Sequence, residues 1–124
     1  MKYLHTMVRV TDVEASLDFY VNKMGMVQTK RNDYESGRFS LIFLTADEDA
    51  AQVASERAPE LELTYNWDGD EEYTGGRNFG HLCYSVDNIY EYCQRMQDAG
   101  VTINRPPRDG RMAFFKSPDG ISFE

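Results

Sequence analysis

The sequence predicts an α+β fold built from two successive copies of one strand–helix–strands module. Three observations predict it. The segment LHTMVRVTDVEASLDFYVNKMG from Leu4 is matched by GHLCYSVDNIYEYCQRMQDAG from Gly80, an internal duplication. Each copy opens with a His in an apolar strand pattern and carries an Asp seven or six residues later (His5 to Asp12, His81 to Asp87). Each closes its helical stretch with a Gly, twenty or nineteen residues after that His (Gly25, Gly100). At 124 residues the chain is the size of one domain, so 1–124 is read as a single domain. Module one covers about 1–67, an acidic connector about 68–78, and module two about 79–124.

The elements follow in order. Strands are expected near 3–10, 26–32, 38–45, 60–66, 80–86, 101–104, 111–116 and 121–124. In the first helix Val13, Leu17, Tyr20 and Met24 form one apolar stripe at i, i+4, i+7 and i+11. Thr11 and Glu14 make a capping-box signature at its start, and Gly25 a stop at its end. In the second helix Ile89, Cys93 and Met96 repeat the stripe, Asn88 and Glu91 the cap, and Gly100 the stop. The segment RFSLIFL from Arg38 matches RMAFFKS from Arg111. The acidic, alanine-rich stretch 47–59 reads as a loop or a short surface helix, and Pro106, Pro107 and Gly110 bound a turn.

Side chains alternate along a strand, and this alternation sorts the chemistry. In the first strand Leu4, Val8 and Val10 share the core face and leave His5, Met7 and Arg9 on the other. In LELTYNW, Leu61, Leu63, Tyr65 and Trp67 oppose Glu62, Thr64 and Asn66. In GHLCYSV, Leu82, Tyr84 and Val86 form the core set and leave His81, Cys83 and Ser85. Ile121 and Phe123 leave Ser122 and Glu124. One operation on four strands thus yields a polar face carrying His5, Glu62, His81 and Glu124. Two neutral imidazoles and two carboxylates suit a divalent metal such as zinc, nickel, cobalt, iron or manganese. A lone strand His is more often solvated or packed than ligating. Here the only two histidines of the chain occupy matching repeat positions, which favours the metal.

Composition narrows the function. Thirteen basic against 21 acidic side chains give a net charge of −8, which repels phosphate backbones and speaks against nucleic acid or an anionic membrane as partner. Two cysteines build no disulfide framework, so a reducing cytoplasm is expected. The polar residues near the start break any secretory signal, and the longest apolar run, 41–44, is far too short to span a bilayer. Cys83 is expected as a small buried filler and Cys93 as part of a helical core stripe. GGRNFG lacks the strand-then-helix context of a nucleotide loop, and no GxSxG nucleophile is present. Arg9 and Arg77 fall near the polar face. Arginine forks bind carboxylates, so a small anionic ligand is expected.

LHTMVRV, SLDFY, KMGM, LELTYNW, FGH and SPDG together resemble glyoxalase I, the lactoylglutathione lyase of the vicinal oxygen chelate superfamily, over 4–124. The resemblance implies two βαβββ modules per chain and a homodimer whose barrel-like sites are lined by both subunits. It implies His5, Glu62, His81 and Glu124 as ligands of one divalent metal per site, Ni²⁺, Co²⁺ or Zn²⁺. His5 sides with the bacterial members, where the mammalian ones have Gln. Arg9, Asn66 and Arg77 match residues that hold the γ-glutamyl end of glutathione. Arg105 stands where a Lys commonly meets the glycyl carboxylate, and Gly110 and Met112 fall on the loop covering the ligand. The family's last strand continues past the position of Glu124.

The chemistry so implied is a proton transfer. Glutathione and methylglyoxal form a hemithioacetal, and the enzyme moves a proton from C1 to C2 through an enediolate, giving S-D-lactoylglutathione. The metal is a Lewis acid, Glu124 the expected base with Glu62 opposite, and Phe114 and Met112 an apolar wall. An extradiol dioxygenase or an epimerase of the same architecture, or a non-catalytic binding relative, is the alternative. The second Glu and the arginines argue against a dioxygenase.

Overall fold

The structure is a computed structural model and describes residues 1–70 and 72–124. Glu71, in the acidic connector, lies outside the described residues. The chain divides into two compact units, Met1–Glu72 and Tyr73–Glu124.

In the first unit, strand β1 (His5–Arg9) leads into helix α1 (Val13–Leu17), which runs on as a π-helical stretch, Asp18–Lys23. β2 (Val27–Tyr34) and β3 (Phe39–Thr45) form an antiparallel hairpin. A 3₁₀ turn (Asp47–Asp49) and the short helix α2 (Ala50–Glu56) occupy the acidic stretch, and β4 (Glu60–Asn66) returns to the sheet. The strand order is β1-β4-β3-β2, with β1 parallel to β4 and the rest antiparallel. Val8, Val10, Tyr20, Met24, Leu61 and Leu63 are buried as alternation and helical periodicity select, joined by Phe19, Ile42 and Leu44, whereas the expected core residues Val13, Leu17, Tyr65 and Trp67 are only half-buried. Leu4 departs further. It precedes the first ladder residue of β1 and is exposed.

The cap of α1 also differs from expectation. Asp12, not Thr11, is the N-cap, and its carboxylate accepts from the Ala15 N–H at 2.9 Å. Adjacent Thr and Asp are both competent caps, and the residue whose backbone is extended takes the role. Gly25, at φ 88°, closes the helical stretch in a conformation that side chains rarely adopt.

In the second unit α3 (Ile89–Asp98) is capped by Asn88, whose side-chain oxygen accepts from the Tyr90 and Glu91 N–H groups at 3.1 and 3.2 Å. Cys93 and Met96 are its buried stripe, and Gly100 at φ 84° its stop. β5 (Ile103–Arg105), β6 (Phe114–Lys116) and β7 (Ser122–Phe123) form an antiparallel sheet in that order. The strand expected over 80–86 is reduced to a parallel bridge between Leu82 and Phe123. Three hydrogen bonds hold it: Leu82 N–H to Ser122 O, Glu124 N–H to Leu82 O and Tyr84 N–H to Glu124 O, at 3.0, 2.8 and 2.9 Å. The bridge ends at Tyr84, and Val86, expected in the core, is exposed. Among the described residues no helix is long and apolar enough to cross a membrane.

Candidate metal and substrate site

Each unit brings one His and one Glu together. In the first, β1 and β4 run parallel with Thr6 opposite Leu61, so His5 before the pair and Glu62 after it meet diagonally on one face. His5 Nε2 lies 3.2 Å from Glu62 Oε2. In the second, Leu82 stands opposite Phe123, again in a parallel pairing, and His81 and Glu124 flank that pair in the same way. His81 Nε2 lies 2.8 Å from Glu124 Oε2. The duplication is thus one of register: the same diagonal across the same kind of strand pair.

The copying extends across both sheets. Phe43 on β3 stands opposite Glu62, and its ring meets the His5 ring edge-on at 6.1 Å between centroids. Phe114 on β6 meets His81 edge-on at 5.3 Å. On the next strand Lys30 stands opposite Phe43, its ammonium 5.9 Å from the ring centre, just past a register shift between Gln28 and Lys30. Arg105 stands opposite Phe114, its guanidinium carbon 5.8 Å from that ring, just past a shift between Ile103 and Arg105. Each unit therefore carries a row of cation, phenyl, carboxylate and imidazole over four neighbouring segments.

This row corrects the expected alignment of the halves. Matching RFSLIFL to RMAFFKS from their first residues equates Phe43 with Lys116, whereas the ladders set Phe43 beside Lys30 and Phe114 beside Arg105, which makes Phe114 the counterpart of Phe43. The slip is two residues, which leaves every side chain on its expected face and is invisible to an alternation pattern. Phe43 and Lys30 are site neighbours that the sequence reading did not name. The duplication could have found them, once Phe114 and Arg105 were suspected.

The other expected residues distribute as follows. Arg9 is exposed at the end of β1, opposite Thr64, and Asn66 ends β4 on the same face as Glu62. The buried Thr64 hydroxyl lies 3.4 Å from Glu62 Oε1 and steadies that carboxylate. Arg77 is exposed in a turn of the second unit. Arg105 donates to the Met112 sulfur. Gly110, at φ 70°, shapes the turn between Arg105 and Met112, where a Cβ would come within 3.2 Å of the Tyr90 hydroxyl. Cys83, expected as a buried filler, is exposed. Partial desolvation of its sulfur and then the charge of Glu124 push the thiol above its ordinary range. Among the described residues no three His, Cys, Asp or Glu side chains gather into a metal-holding group. What each unit assembles is a pair.

The sequence model of the Glyoxalase/Bleomycin resistance protein/Dioxygenase superfamily matches residues 2–124. The chain is 40% identical to the lactoylglutathione lyase of Neisseria meningitidis serogroup A, over 100% of this chain and 88% of that one. It is 40% identical to the lactoylglutathione lyase of Pseudomonas aeruginosa, over 97% of this chain and 78% of that one. Among solved structures, the trypanothione-dependent glyoxalase I of Leishmania major superposes with a TM-score of 0.86 at 32% identity, covering 99% of this chain and 84% of the other.

Proposed function

The chain belongs to the glyoxalase/bleomycin resistance protein/dioxygenase superfamily, and we propose that within it the protein is a lactoylglutathione lyase. It isomerises the hemithioacetal of methylglyoxal and glutathione to S-D-lactoylglutathione. The observation that carries this reading is the His–Glu pair repeated in one register, in a chain similar along its whole length to enzymes of that name.

Such enzymes take a divalent metal. The donor set present, two imidazole nitrogens and two carboxylates, fits zinc, nickel or cobalt. His5, Glu62, His81 and Glu124 would hold it. When bound, the cation supplies Lewis-acid stabilisation of the charge that builds on two adjacent substrate oxygens. The remaining work falls to the chain itself. Glu124 takes the proton from C1 and returns it to C2, the short transfer that a positioned carboxylate performs well, with Glu62 as the opposing carboxylate. Arg9, Asn66 and Arg77 hold the γ-glutamyl end and Arg105 the glycyl carboxylate, since planar guanidinium forks match carboxylates. Phe114 and Met112 keep water from the reacting carbons.

Each unit carries half of a four-ligand set, which supports a homodimer in which His5 and Glu62 of one subunit join His81 and Glu124 of the other. The free cysteines and glutathione chemistry suit the cytoplasm. The test is reconstitution. Protein stripped with a chelator should be inactive on the hemithioacetal and recover with Ni²⁺, Co²⁺ or Zn²⁺. Failure to turn over this substrate with every metal would overturn the assignment.

A further inference from the structure

The chain has a single tryptophan, and it sits at the end of the strand that carries Glu62 and Asn66. The Trp67 indole N–H donates to the Ser40 hydroxyl at 2.8 Å, and that hydroxyl donates to Asp33 Oδ1 at 2.6 Å. Ser40 is buried in the middle strand of the hairpin–β4 sheet, opposite Asp33 on one side and Tyr65 on the other. Arg31 reaches Asp33 from the same strand at 3.1 Å. The neighbouring backbone is tied as well. Trp67 N–H donates to Arg38 O at 3.0 Å, from a turn in which Arg38 adopts φ 50°. The Arg38 guanidinium pairs with Asp68 through two nitrogens and lies 5.5 Å from the Trp67 ring centre.

The contacts of Ser40 and Arg38 meet at Trp67 and Asp68, the two residues that follow Asn66 where β4 leaves the sheet. Surface ion pairs alone would be a weak anchor. Here a buried serine links β2, β3 and the residue that follows β4 in one chain of hydrogen bonds, which strengthens each link. The lattice lies on the face opposite Glu62 and Asn66, because Ser40 and Trp67 share the core side with Leu61 and Leu63. It touches no reacting group. What it fixes is the backbone on which Asn66 stands.

We propose that Ser40, held between Asp33 and Trp67, is a positioning residue that sets Asn66 for the γ-glutamyl end of the substrate. This rests on the lactoylglutathione lyase reading, in which Asn66 contacts glutathione. A positioning error of this kind weakens substrate binding more than the chemical step.

The experiment compares the metal-loaded wild type with Ser40→Ala, Ser40→Thr, Trp67→Phe and Asn66→Ala. Ser40→Ala should raise KM about five- to tenfold, the scale of one buried hydrogen bond, while kcat and metal content stay within about twofold. Ser40→Thr keeps the hydroxyl and should recover most of the loss. Trp67→Phe removes the same hydrogen bond from its other end and should reproduce the KM increase. Adding Ser40→Ala to Asn66→Ala should cost little more, because both act through one contact. In titrations with unreactive S-methylglutathione, the emission of Trp67 should report binding weakened in Ser40→Ala by the same factor as KM. Unchanged KM in folded Ser40→Ala or Trp67→Phe, or a loss confined to kcat, overturns the proposal while leaving the lyase reading intact. A wild type that does not process the hemithioacetal overturns the reading itself, and the proposal with it.

Discussion

His5 and Glu62 form a pair whose side chains are 44% and 13% exposed. With the imidazole half-exposed, one such contact is a weak source of stability, and stability alone gives no reason for placing the chain's only two histidines in this same geometry twice. The metal ligation proposed above would account for it. His81→Ala should therefore fold and lose its metal on dialysis, and elemental analysis decides. Full metal occupancy in that variant would remove His81 from the ligand set. Asp33 offers a different residue-scale test. Hydrogen bonds from Ser40 and then Arg31 hold its carboxyl below the ordinary value of 3.8. A carboxyl lowered by folding stabilises the native state above its unfolded value, and that contribution fades as pH falls through the lower folded value. Between pH 5 and pH 2 (roughly the range over which such groups titrate), Asp33→Asn should show a shallower decline in unfolding midpoint than the wild type. Parallel declines would show that Asp33 is not coupled to folding.

At the scale of elements, α3 depends on a cap that the Asn88–Glu91 capping-box signature makes visible in the sequence. Asn88 satisfies two backbone N–H groups at its start, and Asn88→Ala should cost about 1 kcal/mol in urea unfolding, with Asn88→Asp nearly neutral. Equal stabilities of all three proteins would refute the capping role. The same elements show what a sequence can and cannot disclose. Periodicity of two assigns Glu62 and Asn66 to one face and Leu61 and Leu63 to the other, because a half-buried strand must segregate them. Periodicity of 3.6 finds Cys93 and Met96. Pairing partners are not local. GHLCYSV has the composition of a strand, yet only its centre meets β7. The two-residue slip between Phe43 and Lys116 arises because Phe43 and Phe114 keep the same parity either way. The Ser40 lattice was illegible for a further reason. Asp33, Ser40 and Trp67 are ordinary residues until the hairpin fold sets them side by side.

For the whole molecule, the proposed metal site needs both His–Glu pairs. Each unit of the chain assembles its own His–Glu pair, and a duplicated module invites two solutions: pairing within the chain, or pairing between two copies related by a two-fold axis. Two-fold dimers are the commonest soluble oligomers and let one chain build two equal sites. In the shared arrangement each site takes His5 and Glu62 from one subunit and His81 and Glu124 from its partner. His5→Ala and Glu124→Gln chains should each be inactive alone. Mixed and allowed to exchange, they form heterodimers in which one site carries both substitutions and the other carries neither. Random exchange of equal amounts should then restore about a quarter of wild-type activity, since half of the dimers are mixed and each has one intact site. Sites confined to a single chain give no recovery, because every chain retains its own lesion. Native mass spectrometry confirms that exchange has occurred. With mixed dimers present, activity near a quarter supports the shared site, and activity at background excludes it.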